Sequence, residues 1–338
     1  MSIPDGPDLL SVAFRAISFT LLLNAAGIPI FVAAFGRLMP GAIPAVRQVG
    51  WKLAIGALVF VAGHHALEAA RMTGEMSGVM DPAMQKMALL SPGGAAFVAR
   101  ILGLLLVAVG LRRAARLPQR AGAASAPSAV ASAHAAAVSA HAGMASAPAA
   151  VASAPAAAAS APSGVRGPLL ISLIGTFLSI TAFTLVGHTS VTPHHLAAAG
   201  LLTLHLLVVA FWLGALWPLY LTATKEQPAA TARVIDAFSL AAAWVVPLIL
   251  LAGIGLTAVL VPSLAVFRQP YGQLLLVKVS AFAVLMAMAS LNKWRFGPAC
   301  SAGDTAAFKR TVLIEYVLIC LVLAVTAAMT TFYSPEVA

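Results

Sequence analysis

Residues 187–219 read GHTSVTPHHLAAAGLLTLHLLVVAFWLGALWPL, and between Arg166 and Lys225 no Asp, Glu, Lys or Arg interrupts the run. A helix crossing a bilayer needs about 20 consecutive apolar residues, so this stretch is expected to span a membrane, with Pro193 well placed to begin the helix. Segments of the same kind recur on both sides of it. They place helices at about Leu9–Phe35, Val49–Met72, Gly94–Arg113, Pro168–Val186, Leu196–Thr222, Val234–Val261, Gly272–Asn292 and Thr311–Phe332. The 338 residues are 61% hydrophobic and 9% charged, with a mean hydropathy of +0.97. A soluble domain carries about 25% charged residues, so water is excluded as the solvent of this fold. The fold class expected is an all-α membrane protein, a polytopic bundle of about eight transmembrane helices.

The formal net charge of +10 belongs to the loops between those helices. One alternate set holds Arg37, Arg47, Lys52, Arg112, Arg113, Arg116, Arg120, Arg166, Lys225, Arg233, Lys293, Arg295, Lys309 and Arg310, while the other holds little beyond Arg71, Lys86 and Arg268. Basic loops stay cytoplasmic during insertion, which predicts both termini, and the loops after helices two, four and six, on the periplasmic side of a bacterial inner membrane. Membrane topology accounts for the charge without nucleic acid. The first apolar run is too long for a signal-peptide core and is read as a retained helix. Cys300 and Cys320 have neither metal-site nor disulfide-framework spacing.

Three regions follow from composition. Residues 1–114 hold three helices and a Met-rich outer loop, and residues 168–338 hold five helices. Between them, 115–167 is nearly all Ala, Ser, Pro and Val, with SAP repeated at Ser146, Ser153 and Ser160. Proline at that spacing prevents a long helix, and the segment is expected to be a disordered cytoplasmic linker. Its His134, His141 and Met144 are read as incidental to a low-complexity spacer.

Histidine and methionine gather at the expected outer face. His64 and His65 end helix two, His188 ends helix four, His194 and His195 open helix five, and His205 lies within it. His65, Glu68 and Met72 are spaced by three and four residues and share a helical face, so a mixed nitrogen, oxygen and sulfur site is sterically open to them. Met76 and Met80 continue the series, although Gly74, Gly78 and Asp81-Pro82 argue against one continuous helix there. Thioethers suit monovalent copper and imidazole several metals; interfacial packing is the structural alternative for the methionines. His194 and His205 return to nearly one face about 16 Å apart along the axis, too far for one ion but suited to successive stations on a path. An ionisable group inside a span is costly, which singles out His205, Lys278 in helix seven and Glu315 in helix eight; snorkelling is the alternative for the last two. Trp212 continues the His205 stripe, with packing or anchoring as its plainer reading. No phosphate-binding glycine loop, metalloprotease helix or nucleophile elbow occurs. Neither an enzyme nor a nucleotide-driven pump is expected.

Four blocks, LHLLVVAFWLGALWPL, FSLAAAWVVPLILLAGIGLTAVL, YGQLLLVKVSAFAVLMAMASLNKW and RTVLIEYVLICLVLAVTAAMTTFYSP, run in this order from about Gly187 to Pro335. In wording and order they resemble the copper resistance protein D (CopD) family of bacterial inner-membrane proteins; the first three helices fit that eight-helix plan more loosely. The resemblance implies copper handling, usually uptake from periplasm to cytoplasm, sometimes beside a separate periplasmic copper-binding partner of the CopC type. It places motif positions at His205, Trp212, Gly214, Tyr271, Gly272, Lys278 and Glu315. The residues themselves leave rivals open. One is a b-type cytochrome, with His64 or His65 and His188 or His205 as axial ligands of haem. Another is a copper sensor or scaffold that does not transport.

Overall fold

A computed structural model describes residues 6–116, 163–261 and 263–333. Among these, eight helices are long and apolar enough to cross a membrane, and no strand occurs. They are α1 (Gly6–Phe35), α2 (Ile43–Thr73), α3 (Pro92–Arg116), α4 (Ser163–Thr181), α5 (His195–Lys225), α6 (Pro228–Leu260), α7 (Pro270–Leu291) and α8 (Ala306–Phe332). The chain is an all-α, multi-pass membrane protein. The low-complexity stretch with His134, His141 and Met144 lies outside the described residues, although α3 and α4 each reach a few residues into the segment assigned to the linker.

Several helices start at proline, whose missing N–H would be unpaired in the first turn in any case: Pro92, Pro228 and Pro270 open α3, α6 and α7. The helix of α6 is interrupted at Val246, one residue before Pro247, because proline removes a backbone donor and crowds the preceding turn. α2 stops where Gly74 takes a left-handed φ of 75°, a conformation that glycine adopts without Cβ strain. As the sequence predicts, the methionine series does not continue that helix. Met76–Met80 form a 3₁₀ turn and Pro82–Leu90 a separate short helix, capped by Asp81 Oδ1, which accepts from the Ala83 and Met84 amides at 2.8 and 3.3 Å.

α1 is the hub, packed against α2, α4, α5 and α8. Leu22, Leu23, Ala25, Ala26, Ile28 and Phe31 are essentially inaccessible. At the α1–α5 crossing Gly27 meets Gly214 backbone to backbone, the small-residue contact that membrane helices use to approach closely. Gly103 and Gly110 of α3 seat likewise against α4, at Gly175, Ser179 and Ser172. α6 and α7 lie at the periphery. Their exposed Leu250, Leu251, Ile254, Leu276, Val277 and Val284 suit a lipid-facing surface.

Both ends of the chain meet at one face. Arg15 Nη1 donates to Thr331 Oγ1 at 2.8 Å, and Arg71 at the end of α2 pairs with Asp8 at the start of α1 at 3.1 Å. At the other face Glu226 Oε1 accepts from the Ala42 amide at 2.8 Å, joining the end of α5 to the start of α2, and Arg47 Nη1 donates to the Ala114 carbonyl at 2.7 Å.

Candidate functional site

At the terminal face, α1, α2, α3 and the short helix enclose a cavity of about 250 Å³, lined by Arg15, His64, His65, Glu68, Met72, Phe97 and Arg100 among others. The 3.6-residue period carries the α2 residues to one side. His65 is stacked flat on Phe97, with ring centroids 4.1 Å apart and planes 5° from parallel, which fixes the imidazole plane. His64 Nε2 stands 3.6 Å from Glu68 Oε1, too long for a hydrogen bond, and is buried with no hydrogen-bond partner. Glu68 is held from its other side by Arg71 at 3.3 Å, and Arg71 in turn by Asp8. Gln85 Nε2 donates to the Ala66 and Val79 carbonyls at 3.1 and 2.9 Å, which clamps the short helix over the end of α2 as a rim.

The remaining predicted residues fall in two other places. His205, on α5, contacts the Ile249 carbonyl of α6 through Nδ1 at 3.1 Å. A carbonyl can only accept, so this contact assigns the proton to Nδ1 and leaves the Nε2 lone pair free. Lys278 of α7 is near enough to His205 for their charges to interact. Toward the opposite face, Glu315 is 3% exposed and accepts from Asn292 Nδ2 at 2.6 Å. Thr311 Oγ1 donates to Asn292 Oδ1, and the Trp212 indole lies close enough to the Glu315 carboxyl to interact with it. Trp212 also packs 6.2 Å edge-on to Phe282.

The structure therefore brings together His64, His65, Glu68 and Met72, and brings Trp212 to Glu315, but it does not gather the histidines into one cluster. His194 and His195 are exposed at the start of α5 and line no part of the cavity. Met76 and Met80 are exposed beside it, Met80 at 84%. His188 opens a one-turn helix at His188–Val191, and its side chain lies outside the described set. Among the described residues no three His, Cys, Asp or Glu side chains converge as a metal-ligand group. Haem fits poorly for the same reason. The described imidazoles in the cavity are neighbours on α2, whereas bis-histidine ligation needs two rings on opposite sides of the macrocycle.

Sequence reasoning missed Arg100 and Asn292 as site residues. Arg100 sits over the Phe183 ring at 4.1 Å and Arg15 over Phe19 at 5.9 Å, and those two rings are themselves 5.3 Å apart. Arg100 lies about 12 Å along α3 from Pro92, and that depth was the available signal.

Comparison with known proteins gives one match: residues 232–329, most of α6, all of α7 and nearly all of α8, match the family described as copper resistance protein D. No curated protein and no solved structure matches. The matched segment contains Lys278, Asn292 and Glu315, while Trp212, which reaches Glu315, comes from the helix before it.

Proposed function

We propose that this chain, whose residues 232–329 match the copper resistance protein D family, transports copper across the bacterial inner membrane, from periplasm to cytoplasm. The family supports copper resistance in a multi-pass membrane protein; substrate route and direction are our reading of the residues. We place the terminal face outward, because the basic loops cluster at the opposite face.

The observation that carries the proposal is the terminal-face cavity, where the unpartnered His64 nitrogen, the Phe97-held His65, the Glu68 carboxylate and the Met72 thioether share one side of α2. Copper is the substrate here, and the soft sulfur donor favours its monovalent form. Met76 and Met80, exposed beside the cavity, would receive the ion first, from solution or from a separate CopC-like periplasmic protein. His205, with Nε2 left free by its bond to Ile249, would be a deeper station, alongside exposed His194 and His195 at the mouth of α5. Lys278 beside His205 and the Trp212–Glu315–Asn292 group are the candidate gates, since each puts an ionisable group inside a span.

Cell-associated copper, measured by elemental mass spectrometry with and without expression, tests the reading. Expression is expected to raise it, and His64→Ala with Met72→Leu, or His205→Ala alone, to return it to the level of cells lacking the protein. Accumulation indifferent to expression and to all three substitutions would remove the transport claim.

A further inference from the structure

We propose that the terminal-face cavity is also a binding site for an oxyanion of the phosphate type, held between Arg15 and Arg100. The inference stands apart from the copper reading, since it rests on the guanidinium groups rather than on the soft donors.

Two guanidiniums from different spanning helices line one cavity at the terminal face. Neither has a carboxylate within ion-pair distance among the described residues. Among the described residues the hydrogen bonds of Arg15 go to neutral oxygens, the Thr331 hydroxyl and the Thr330 carbonyl at 2.8 and 3.3 Å, and Glu68 attracts it from beyond ion-pair distance. Arg100 Nε is buried with no hydrogen-bond partner, and its Cζ rests on Phe183. An aromatic face attracts a cation weakly and offers no acceptor for its N–H groups. The carboxylate that does reach the cavity, Glu68, is engaged by Arg71, which also holds Asp8. Among the described residues three guanidiniums stand against two carboxylates there, leaving one positive charge uncompensated while His64 and His65 are neutral.

A buried charge without a counter-charge costs several kcal/mol, and an arginine at membrane depth is paired or lines a wet path. A group that supplies several acceptor oxygens satisfies both forks at once. The aromatic pair beneath them fixes the spacing: Arg15 and Arg100 each rest on one ring of the Phe19–Phe183 contact, so their donors are set before the anion arrives. A cavity of about 250 Å³ is large enough for a phosphate group. Its position at the terminal face admits either a free anion or the headgroup of an anionic phospholipid, which share this chemistry.

The test is thermal unfolding of the full chain in nanodiscs, with three arms. Wild type in phosphatidylcholine discs is titrated with inorganic phosphate against chloride at equal ionic strength, and then compared with discs containing phosphatidylglycerol. Stabilisation by phosphate in the neutral discs assigns a free anion; stabilisation by phosphatidylglycerol alone assigns a headgroup. In either case Arg15→Gln and Arg100→Gln are each expected to weaken the response about ten-fold or more, the loss of one charge-assisted contact, and Arg100→Lys is expected to retain part of it. Should Arg100→Gln fail to fold, Arg15→Gln alone carries the comparison. No stabilisation in any arm, or a response equal in wild type and Arg15→Gln, overturns the proposal.

Discussion

Replacing Gly214 by Ala tests how the two halves of the bundle are joined. A Cβ at this position would stand 2.8 Å from Ile28 N and closer still to the Gly27 backbone. Carbon contacts relax at about 3.5–4.0 Å, so α1 and α5 must part by about 1 Å, and because the obstacle is backbone no rotamer change relieves it. A gap of 0.5–1 Å already loses about a quarter to a half of each dispersion contact around it. The contacts at stake include buried Leu23, Ile28, Ala210 and Leu213. Overpacking of this kind costs about 1–3 kcal/mol. The matched control is Gly200→Ala on the same helix, where nothing lies within 4 Å of the new methyl; there the gain in helix propensity, up to about 1 kcal/mol, is unopposed. Unfolding of the purified variants in detergent, followed by tryptophan fluorescence, should place Gly214→Ala below wild type and Gly200→Ala at or above it. Equal midpoints for the two variants would refute the claim that the glycine crossing holds α5 to α1.

Two further outcomes follow from buried polar contacts. Asn292→Leu removes the 2.6 Å donor to buried Glu315, while the Thr311 hydroxyl keeps its bonds to the Ala307 and Phe308 carbonyls, so it should cost about 1–3 kcal/mol in the same unfolding assay through the carboxyl alone, and Glu315→Gln in that background should recover part of the loss by neutralising the carboxyl. Thr176→Val deletes the 2.8 Å bond to the Ala26 carbonyl between α4 and α1; bonds between membrane helices average about 0.6 kcal/mol, so a small loss is expected there and a loss above about 2 kcal/mol would mean that the contact does more than join two helices.

Hydropathy located every span but placed each start late, for a physical reason. α2 was expected from Val49 and begins at Ile43, because Arg47 and Gln48 ended the apolar run. Helices do not stop where hydrocarbon stops; Arg47 continues the helix and donates to the end of α3. α8 likewise begins at Ala306 rather than Thr311, the extra turns carrying Lys309 and Arg310 outside the apolar core. The kink at Pro247 divides a segment that hydropathy alone reads as continuous.

The site was legible only as far as one helix carries information. His65, Glu68 and Met72 are joined by the period of α2, and that grouping follows from spacing alone. What completes the cavity comes from α1 and α3, whose rotation about their own axes is set by packing: glycine contacts on α3 turn one face to α4 and thereby turn Arg100 toward Phe183. No periodicity in α3 specifies that angle. The same argument separates the half-exposed Glu68 from the buried Glu315. Glu68 has its partner Arg71 three residues away on its own helix, whereas Glu315 accepts from Asn292 at the end of α7, with Trp212 of α5 close by. An ionisable residue inside a span thus announces that a partner exists, and the sequence names that partner only when both lie within one turn of the same helix.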